Sequence, residues 1–255
     1  MYLTTQALVI RVSAYNDTDA MLTLLTGDYG KISAKVRGLR RKNSPLSASC
    51  QLLAYSQFTL FEYKGNYTVN EANTIEMFSS LRKELTRLTL GTYFAQAAEI
   101  ISQEDQPNSE LLSLTLNCLY ALSELNESED KVKAVFELRA ACIAGYFPDL
   151  SGCHICSNTS PDLLIISEGL LECSGCRSNS FSIGLPVSKG VLSAIRYICY
   201  CPSKKLFSYS LPSDSEKNLA DISEAYFSTQ LERGFSALDF YKNLIFKSDN
   251  LNLGE

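Results

Sequence analysis

Two cysteine pairs at a fixed spacing place the strongest constraint on how this chain of 255 residues can fold. Each pair has the form C-x2-C, and sixteen residues separate the pairs. The four residues are Cys153 with Cys156 and Cys173 with Cys176. Two intervening residues let one tight turn aim both sulfurs at one ion, and two such turns supply the four tetrahedral thiolates of a structural Zn²⁺ site. The residues between the pairs predict a small β-hairpin that turns at Glu168–Gly169 and brings the pairs together.

The spacing also bears on other uses of four cysteines. A dithiol redox centre needs only one C-x-x-C pair, and the common ferredoxin iron–sulfur runs have different spacings. A catalytic zinc keeps an open coordination position, which four thiolates would fill. His154 is the only histidine of the chain and lies inside the first pair. We expect it to face solvent rather than replace a cysteine, so the pattern predicts one structural Zn²⁺ per chain.

The first 80 residues have the pattern of β-strands. Segments rich in β-branched and aromatic residues occur at residues 6–12, 20–26, 31–37, 52–63 and 67–72. The connections "GDYG" and "KGN" suit tight hairpin turns. Five short strands joined in this way need a closed arrangement to avoid open edges, and a small barrel of the OB type provides one. A five-stranded SH3-like barrel satisfies the same periodicity, so the pattern leaves both open.

From about Ser79 the apolar residues recur with the 3.6-residue period of a helix. Helical patterns continue to the C-terminus on both sides of the segment with the cysteine pairs. The predicted fold class is therefore α+β, with an N-terminal five-stranded OB-type β-barrel, an all-helical domain and an inserted four-cysteine zinc module. The predicted segments are the barrel at residues 1–78, a helical bundle at 79–149, the zinc module at 150–184, and C-terminal helices packing with the bundle at 185–255.

Composition indicates a soluble protein of the cytoplasm. The N-terminus has neither the basic region nor the cleavage site of a secretory signal. The most apolar run, Leu111–Leu122, is too short to span a bilayer, and no membrane partner is expected. Nine cysteines, an odd number, argue against a disulfide framework in such a chain.

A basic segment contrasts with the formal net charge of −5. Residues 1–80 carry 8 Lys and Arg against 6 Asp and Glu, whereas residues 81–255 carry 15 against 22, so the surplus acid lies elsewhere. The segment contains six bases and no acid, and these bases are Lys31, Lys35, Arg37, Arg40, Arg41 and Lys42. Gly38 lets the backbone bend between the arginines, and the run leaves a strand of the predicted barrel. Phosphate binding is therefore favoured over a solvated loop.

Binding of single-stranded nucleic acid also uses aromatic side chains that stack on bases. The barrel region offers six aromatic candidates, and we expect most of them to belong to the core. They are Tyr15, Tyr29, Phe58, Phe61, Tyr63 and Tyr67.

Longer motifs resemble a known family. The chain resembles the RecO family of bacterial recombination-mediator DNA repair proteins along essentially its whole length. The glycine- and arginine-rich turn after the third strand and the motif G-Y-x-P-x-L-x-x-C at residues 145–153 are the most specific. The other matching pieces are residues 4–44, 52–72, 136–156 with "CSGC", and "QLERGFSALDFY".

The resemblance implies an OB fold, a helical domain and an embedded zinc module. It implies a non-enzymatic, cytoplasmic bacterial protein, associated with the nucleoid during repair, that binds single- and double-stranded DNA and anneals complementary strands. It also implies partnership with RecR, contact with single-strand-binding protein, and help in loading RecA onto coated strands. The DNA-binding role carries over to five of the bases, which occupy the glycine- and arginine-rich turn of the family, and these are Lys35, Arg37, Arg40, Arg41 and Lys42. The acidic tail of single-strand-binding protein has weaker candidate sites at Arg139, Arg196, Lys204 and Lys205.

Three other functions remain open from the residues alone. The first is an RNA-binding protein of translation or transcription that combines an OB fold with a zinc ribbon. The second is a zinc enzyme, although the His-x-Glu and Pro-Cys-x-x-Cys motifs of the deaminases do not occur. The third is a scaffold whose basic segment binds an acidic protein surface.

Overall fold

Five β-strands form the N-terminal part of the chain, as predicted. In the computed structural model, residues 1–125, 127–177 and 182–252 are described, with side chains as far as residue 247. The strands are β1 (Tyr2–Ala14), β2 (Ala20–Thr26), β3 (Lys31–Val36), β4 (Tyr55–Tyr63) and β5 (Asn66–Glu76). The "GDYG" connection forms a tight turn between β2 and β3, in which the backbone N–H of Thr26 donates to the carbonyl of Gly30 at 2.8 Å.

The five strands close into a barrel with the order β1-β2-β3-β5-β4. All neighbouring pairs are antiparallel except β3 and β5, which run parallel. This order is that of the OB fold, so the structure resolves the choice that periodicity left between the OB and SH3-like barrels. Closure pairs β1 with both β2 and β4, and it removes the open edges that five short strands would otherwise expose.

Alternation of side chains along β3 decides which residues fill the barrel. Ile32, Ala34 and Val36 are buried, whereas Lys31 and Lys35 point outward. The interior is filled by apolar side chains from all five strands, among them Val9, Leu22, Leu24, Phe58, Leu60 and Val69. Burial of each of these leucine and phenylalanine side chains stabilises the folded state by about 1.5–3 kcal/mol. The outward positions of β3 are therefore free to carry charge.

The chain forms two compact units. One lies within residues 1–126 and 235–255, and the other within residues 127–234. The first unit contains the barrel and three helices, α1 (Leu85–Ile101), α2 (Ser109–Ser123) and α6 (Ser236–Asn252). The α6 helix packs against α1. The ring of Phe235, the residue before α6, meets the ring of Tyr93 of α1 edge to face, with the ring centres 5.2 Å apart. A 3-10 turn at Ser79–Lys83 precedes α1, so the first α-helix starts later than the sequence pattern indicated.

The second unit combines three helices with four short strands. Its helices are α3 (Glu129–Ile143), α4 (Lys189–Tyr200) and α5 (Ser213–Gln230). Its strands are β6 (Asp149–Cys153), β7 (Leu163–Ile165), β8 (Leu170–Glu172) and β9 (Gly184–Pro186). The α3 helix packs against α4 and α5. Between α3 and α5, the buried Lys133 ammonium contacts Glu137 at 3.2 Å and Glu224 at 2.9 Å.

The structure confirms the predicted fold class of an OB-type barrel, helices and an inserted cysteine module. The division into segments at 1–78, 79–149, 150–184 and 185–255 stays a prediction, which limited proteolysis would test. Within the described residues, no helix has both the length and the apolar character needed to cross a membrane.

Candidate nucleic-acid interface and metal centre

The six predicted bases lie on β3 and on the turn after it. Residues 37–42, called the basic turn below, leave the end of β3 with Gly38 at a φ of 67°. A left-handed residue at this position bends the chain, as the glycine predicted. The side chains of the turn's four bases are all exposed, and these are Arg37, Arg40, Arg41 and Lys42.

Asp19, at the end of the loop between β1 and β2, holds the start of the basic turn. Its Oδ1 atom accepts the backbone N–H of Gly38 at 2.9 Å, and its Oδ2 atom lies 3.0 Å from Nζ of Lys35. The Gly38 hydrogen bond and then the Lys35 ammonium hold the pKa of Asp19 well below its usual range. No sequence pattern indicated this role, because the two partners lie 16 and 19 positions away.

Two of the six bases, Lys31 and Lys35, direct their ammonium groups at partners inside the protein. Nζ of Lys31 donates to the carbonyl oxygen of Glu99 at 2.9 Å, in the last turn of α1. A cation at this position also suits the negative end of the helix dipole. Nζ of Lys35 contacts Asp19 and lies 4.2 Å from the ring centre of Tyr15. Lys31 and Lys35 therefore add positive field to this face, while each ammonium is held by a partner inside the protein.

The other four bases present their charge to solvent. Nη1 of Arg40 donates to the carbonyl of Asn16 at 2.6 Å, which ties the basic turn to the β1–β2 loop and leaves other guanidinium donors available. In the part of the chain that the structure describes, the side chains of Arg37, Arg41 and Lys42 have no hydrogen-bond or ion-pair partner. The turn thus holds three unpaired cations beside an anchored arginine.

The aromatic side chains correct one expectation from the sequence. Four of the six candidates are exposed rather than buried, with Tyr15 at 58% and Tyr63 at 63% exposure, and only Phe58 is fully buried. Tyr15 is the first residue of the β1–β2 loop, and Tyr63 is the last residue of β4 before the β4–β5 turn. These are the two loops by which OB folds bind oligonucleotides. A cavity of about 270 Å³ lies beside Arg40, with Leu39, Ala14 and Cys50 among its apolar lining.

We predict that Asp19→Ala lowers the stability of the folded protein in a pH-dependent way, because the basic turn loses its bonds to Asp19. Because the folded protein lowers the pKa of Asp19 below the ordinary value of 3.8, its contribution to stability is full above that value. The contribution declines as the pH falls below 3.8 towards the folded pKa. The melting temperatures of wild type and Asp19→Ala should therefore differ by a constant amount above about pH 5 and converge in more acidic buffer.

Asp17→Ala is the matched control for Asp19→Ala. Asp17 is exposed in the same loop, and its removal changes the net charge equally. This variant should melt like wild type at every pH. An equal effect of both substitutions would mean that net charge, and not the bonds to Gly38 and Lys35, causes the difference.

The four cysteines of the two pairs meet at one edge of the small sheet in the second unit. The β6 strand ends at Cys153 and runs parallel to β8, with Cys153 opposite Leu171. Parallel strands end at the same edge of a sheet, so the turns that follow them start side by side. The β7–β8 hairpin turns through Gly169, which has a φ of 67°. The hairpin predicted at Glu168–Gly169 is confirmed, and it brings the second pair to the first.

The sulfur positions fit a single tetrahedral ion. The Sγ atoms of Cys153, Cys156, Cys173 and Cys176 all lie within 4.8 Å of one another. The sulfurs of Cys156 and Cys173 are 3.8 Å apart, so they are unbonded. A tetrahedron with metal–sulfur bonds of about 2.3 Å has sulfur–sulfur edges of about 3.8 Å. The cluster can therefore hold one metal ion, whereas an iron–sulfur cluster would attach its thiolates to several metal atoms.

The charges of the thiols also suit a cation. Backbone N–H groups of Cys156, Ile155 and Cys173 lower the pKa of Cys153 to about 6. The pKa of Cys176 is raised to about 12, first by a hydrogen bond to Cys156 and then by burial and the neighbouring Cys153. Four adjacent thiolates repel one another, so all four lose their protons together only when a cation balances them.

His154 lies beside the cluster with both ring nitrogens directed elsewhere. Its Nε2 atom is 3.5 Å from Oε1 of Glu172, and its Nδ1 atom is 3.4 Å from the carbonyl oxygen of Leu171. The imidazole therefore contacts β8, and the four sulfurs remain the available ligand set.

The four basic residues predicted to bind the acidic tail of single-strand-binding protein differ in their contacts. Arg139 donates to the carbonyl of Cys199 at 2.8 Å, and Arg196 donates to those of Leu150 and Thr159 at 2.9 and 3.0 Å. These arginines tie backbone segments of the second unit together. Lys204 and Lys205 lie in an exposed 3-10 turn. Docking of a tail to any of the four stays a prediction.

Comparisons with known proteins match almost the whole chain. The family model described as "Recombination protein O N terminal" matches residues 1–78, which contain the barrel and the basic turn. The model described as "Recombination protein O C terminal" matches residues 82–239, which contain the cysteine cluster.

Individual relatives agree with both family models. A protein of Acetivibrio thermocellus named "DNA repair protein RecO" is 37% identical over 246 residues, covering 95% of this chain and 97% of its own length. A protein of the same name from Alkaliphilus metalliredigens is 30% identical over 248 residues, covering 96% and 100%.

Proposed function

The chain belongs to the RecO family of DNA repair proteins, and from this membership we propose that it is a mediator that anneals complementary DNA strands. A role in DNA repair and recombination, with DNA binding, follows from the family itself. The proposal adds single- and double-stranded DNA as ligands of the barrel. It also adds cooperation with RecR in loading RecA onto strands coated by single-strand-binding protein.

The observation that carries the proposal is the basic turn at the edge of a closed OB barrel. Three of its cations have no partner among the described residues, and Arg40 keeps spare donors, so all four can meet phosphates without breaking a bond of the fold. Phosphate neutralisation supplies most of the affinity of a protein that binds without sequence preference. Exposed Tyr15 and Tyr63 and the cavity beside Arg40 offer apolar surface to unstacked bases.

Annealing follows from the same charges. Two complementary strands repel through their phosphates until cations lie between them. A face with four exposed bases, reinforced by the field of Lys31 and Lys35, would lower this repulsion while the bases pair. The acidic remainder of the chain keeps binding reversible, because residues 81–255 carry seven more acids than bases. No catalytic residue is required for this activity.

The cysteine cluster supports a structural role for a metal in the second unit. The proposed ligands are Cys153, Cys156, Cys173 and Cys176, and the proposed ion is one Zn²⁺ per chain. When bound, the ion would cross-link the ends of β6 and β8 and leave no open coordination position for chemistry.

We expect the full chain to accelerate annealing of complementary DNA strands, and Arg41→Glu/Lys42→Glu to abolish most of the acceleration. The reason is that the substitutions reverse two unpaired charges and touch no hydrogen bond of the fold. The measurement is the rate of fluorescence quenching when two labelled strands pair. Annealing at the wild-type rate by the variant would contradict the role of the basic turn. Tight binding to structured RNA without any DNA annealing would favour the RNA-binding alternative.

A further inference from the structure

A large open cavity of the first unit lies between β1 and the helices α1 and α6. Its volume is about 550 Å³, and two of its apolar side chains, Val12 and Phe240, are 39% and 52% exposed. Val12 also lines the smaller cavity beside Arg40. Residues 10–12 of β1 line the larger cavity and residues 12–14 line the smaller one, so the two cavities adjoin along the strand. A continuous path therefore leads from the basic turn, across Val12, to Phe240.

The polar side chains that line the larger cavity have partners inside the protein. Arg11 and Glu99, the only charged residues among the described lining, form an ion pair at 2.9 Å. The amide of Gln96 donates to Oγ of Ser236 and accepts the backbone N–H of Ala237, and two threonines of α1 donate to carbonyl oxygens of the same helix. The rest of the lining is apolar, with side chains of Ile10, Val12, Leu52, Leu88 and Phe240. A ligand that suits this cavity presents flat apolar faces and no charge.

A single DNA strand has both of the properties that the path requires. The basic turn at one end of the path presents unpaired cations, which suit phosphates. The apolar cavity at the other end suits unstacked bases, because every base has a face that can stack on an aromatic ring. In a duplex the bases are paired and stacked inside the helix, so a side chain on the protein surface cannot reach their faces.

We propose that the cavity at Phe240 accepts bases of a single strand whose phosphates lie on the basic turn, and that it distinguishes unpaired from paired DNA. The exposed ring of Phe240 stacks on a base, and Val12 connects this site to the cavity beside Arg40. A base that pairs with a complementary strand leaves the cavity, so annealing weakens the hold on the product. The inference rests on the DNA binding proposed above for the basic turn.

The test compares Phe240→Ala with wild type on a single strand of about 16 nucleotides and on the duplex of the same sequence. Loss of one base–aromatic stack should weaken binding to the single strand by about tenfold, or about 1.4 kcal/mol. Binding to the duplex should not change. The slope of log K against log salt should also stay the same, because no phosphate contact is lost. Fluorescence anisotropy titrations measure all of these quantities.

Phe246→Ala is the matched control for Phe240→Ala. Phe246 is exposed on the same helix but lies outside the lining of both cavities. This variant should bind both forms of DNA like wild type. Thermal melting of the two variants verifies that each is folded.

A second measurement needs no substitution. The wild-type protein is irradiated in complex with a single strand that contains iodouracil, then digested, and the cross-linked peptides are identified by mass spectrometry. We expect a cross-link to Phe240 with the single strand and none with the duplex.

The outcomes separate this inference from the proposed function. The inference is overturned, and binding by the basic turn is retained, if Phe240→Ala weakens both forms of DNA equally, if Phe246→Ala has the same effect, or if no cross-link forms at Phe240. Self-association without DNA that is lost in Phe240→Ala would assign the cavity to a second copy of the chain instead. Failure of the wild type to bind either form of DNA would refute the proposed function as well.

Discussion

Removal of the metal from the four-cysteine cluster is expected to destabilise the helical unit strongly. Strands β7, β8 and β9 have only three residues each, too few to form a stable sheet by themselves. A ligand present at about 1,000 times its Kd stabilises the folded state by about 4 kcal/mol. In a chain of this size, 1 kcal/mol shifts the melting temperature by about 2–4 °C. Chelation should therefore lower the melting temperature by roughly 8–16 °C.

The variants Cys156→Ser and His154→Ala distinguish the role of the thiolates in binding the metal from that of the neighbouring histidine. Cys156→Ser should lose most of the bound zinc, measured by elemental analysis of the purified protein, and should melt like the chelated wild type. His154→Ala changes the adjacent imidazole, whose nitrogens face Glu172 and Leu171, and should keep about one zinc per chain. Full zinc content and an unchanged melting temperature in Cys156→Ser would refute the four-thiolate site.

Local patterns were enough to predict the elements of the barrel and of the metal site. Alternation along β3 and the glycines of the tight turns depend on neighbours in the chain, and so does the spacing of the cysteine pairs. Closure of the barrel depends on the parallel pairing of Ala34 with Tyr67, which no local pattern records. The OB and SH3-like barrels could therefore be distinguished only by the structure.

The start of the first helix and the aromatic residues show two limits of periodicity. Apolar spacing indicated a helix from Ser79, but Glu84 is extended and divides a 3-10 turn from α1. Phe58 and Phe61 lie three positions apart on β4, and a strand alternates faces with a period of two. One ring is therefore inside and the other outside, and the expectation that most of the six aromatic residues lie in the core did not distinguish the two.

The charges of the basic segment show what sequence cannot supply. Six bases without an acid were visible at once, and the bend at Gly38 was predicted correctly. The partners of Lys31 and Lys35 were not visible, because Glu99 lies 68 positions away from Lys31 and Asp19 belongs to another loop. The structure thus divides six similar bases into two anchored lysines and four exposed groups, and this division changes the expected dependence of DNA binding on salt.

Neutralising Arg41 and Lys42 should weaken binding to single-stranded DNA by about 25-fold at roughly 0.1 M salt. Each phosphate contact on a single strand contributes about −0.7 to the slope of log K against log salt, so two lost contacts remove about 1.4 powers of ten. Six contacts would give the wild type a slope of about −4, and the four exposed bases alone would give about −3. If the four exposed bases alone contact phosphates, Arg41→Gln/Lys42→Gln should bind with a slope of about −1.4.

The matched control for this pair is Lys204→Gln/Lys205→Gln. It also removes two positive charges, but from an exposed turn of the other unit. A general effect of net charge would therefore act equally on both variants. Fluorescence anisotropy titrations of a labelled oligonucleotide across a series of salt concentrations measure both slopes. We expect the control to keep the wild-type slope. If the two variants lost affinity equally, the barrel would have no special part in binding, whereas a wild-type slope near −4 would mean that Lys31 and Lys35 leave their partners to join the phosphate contacts.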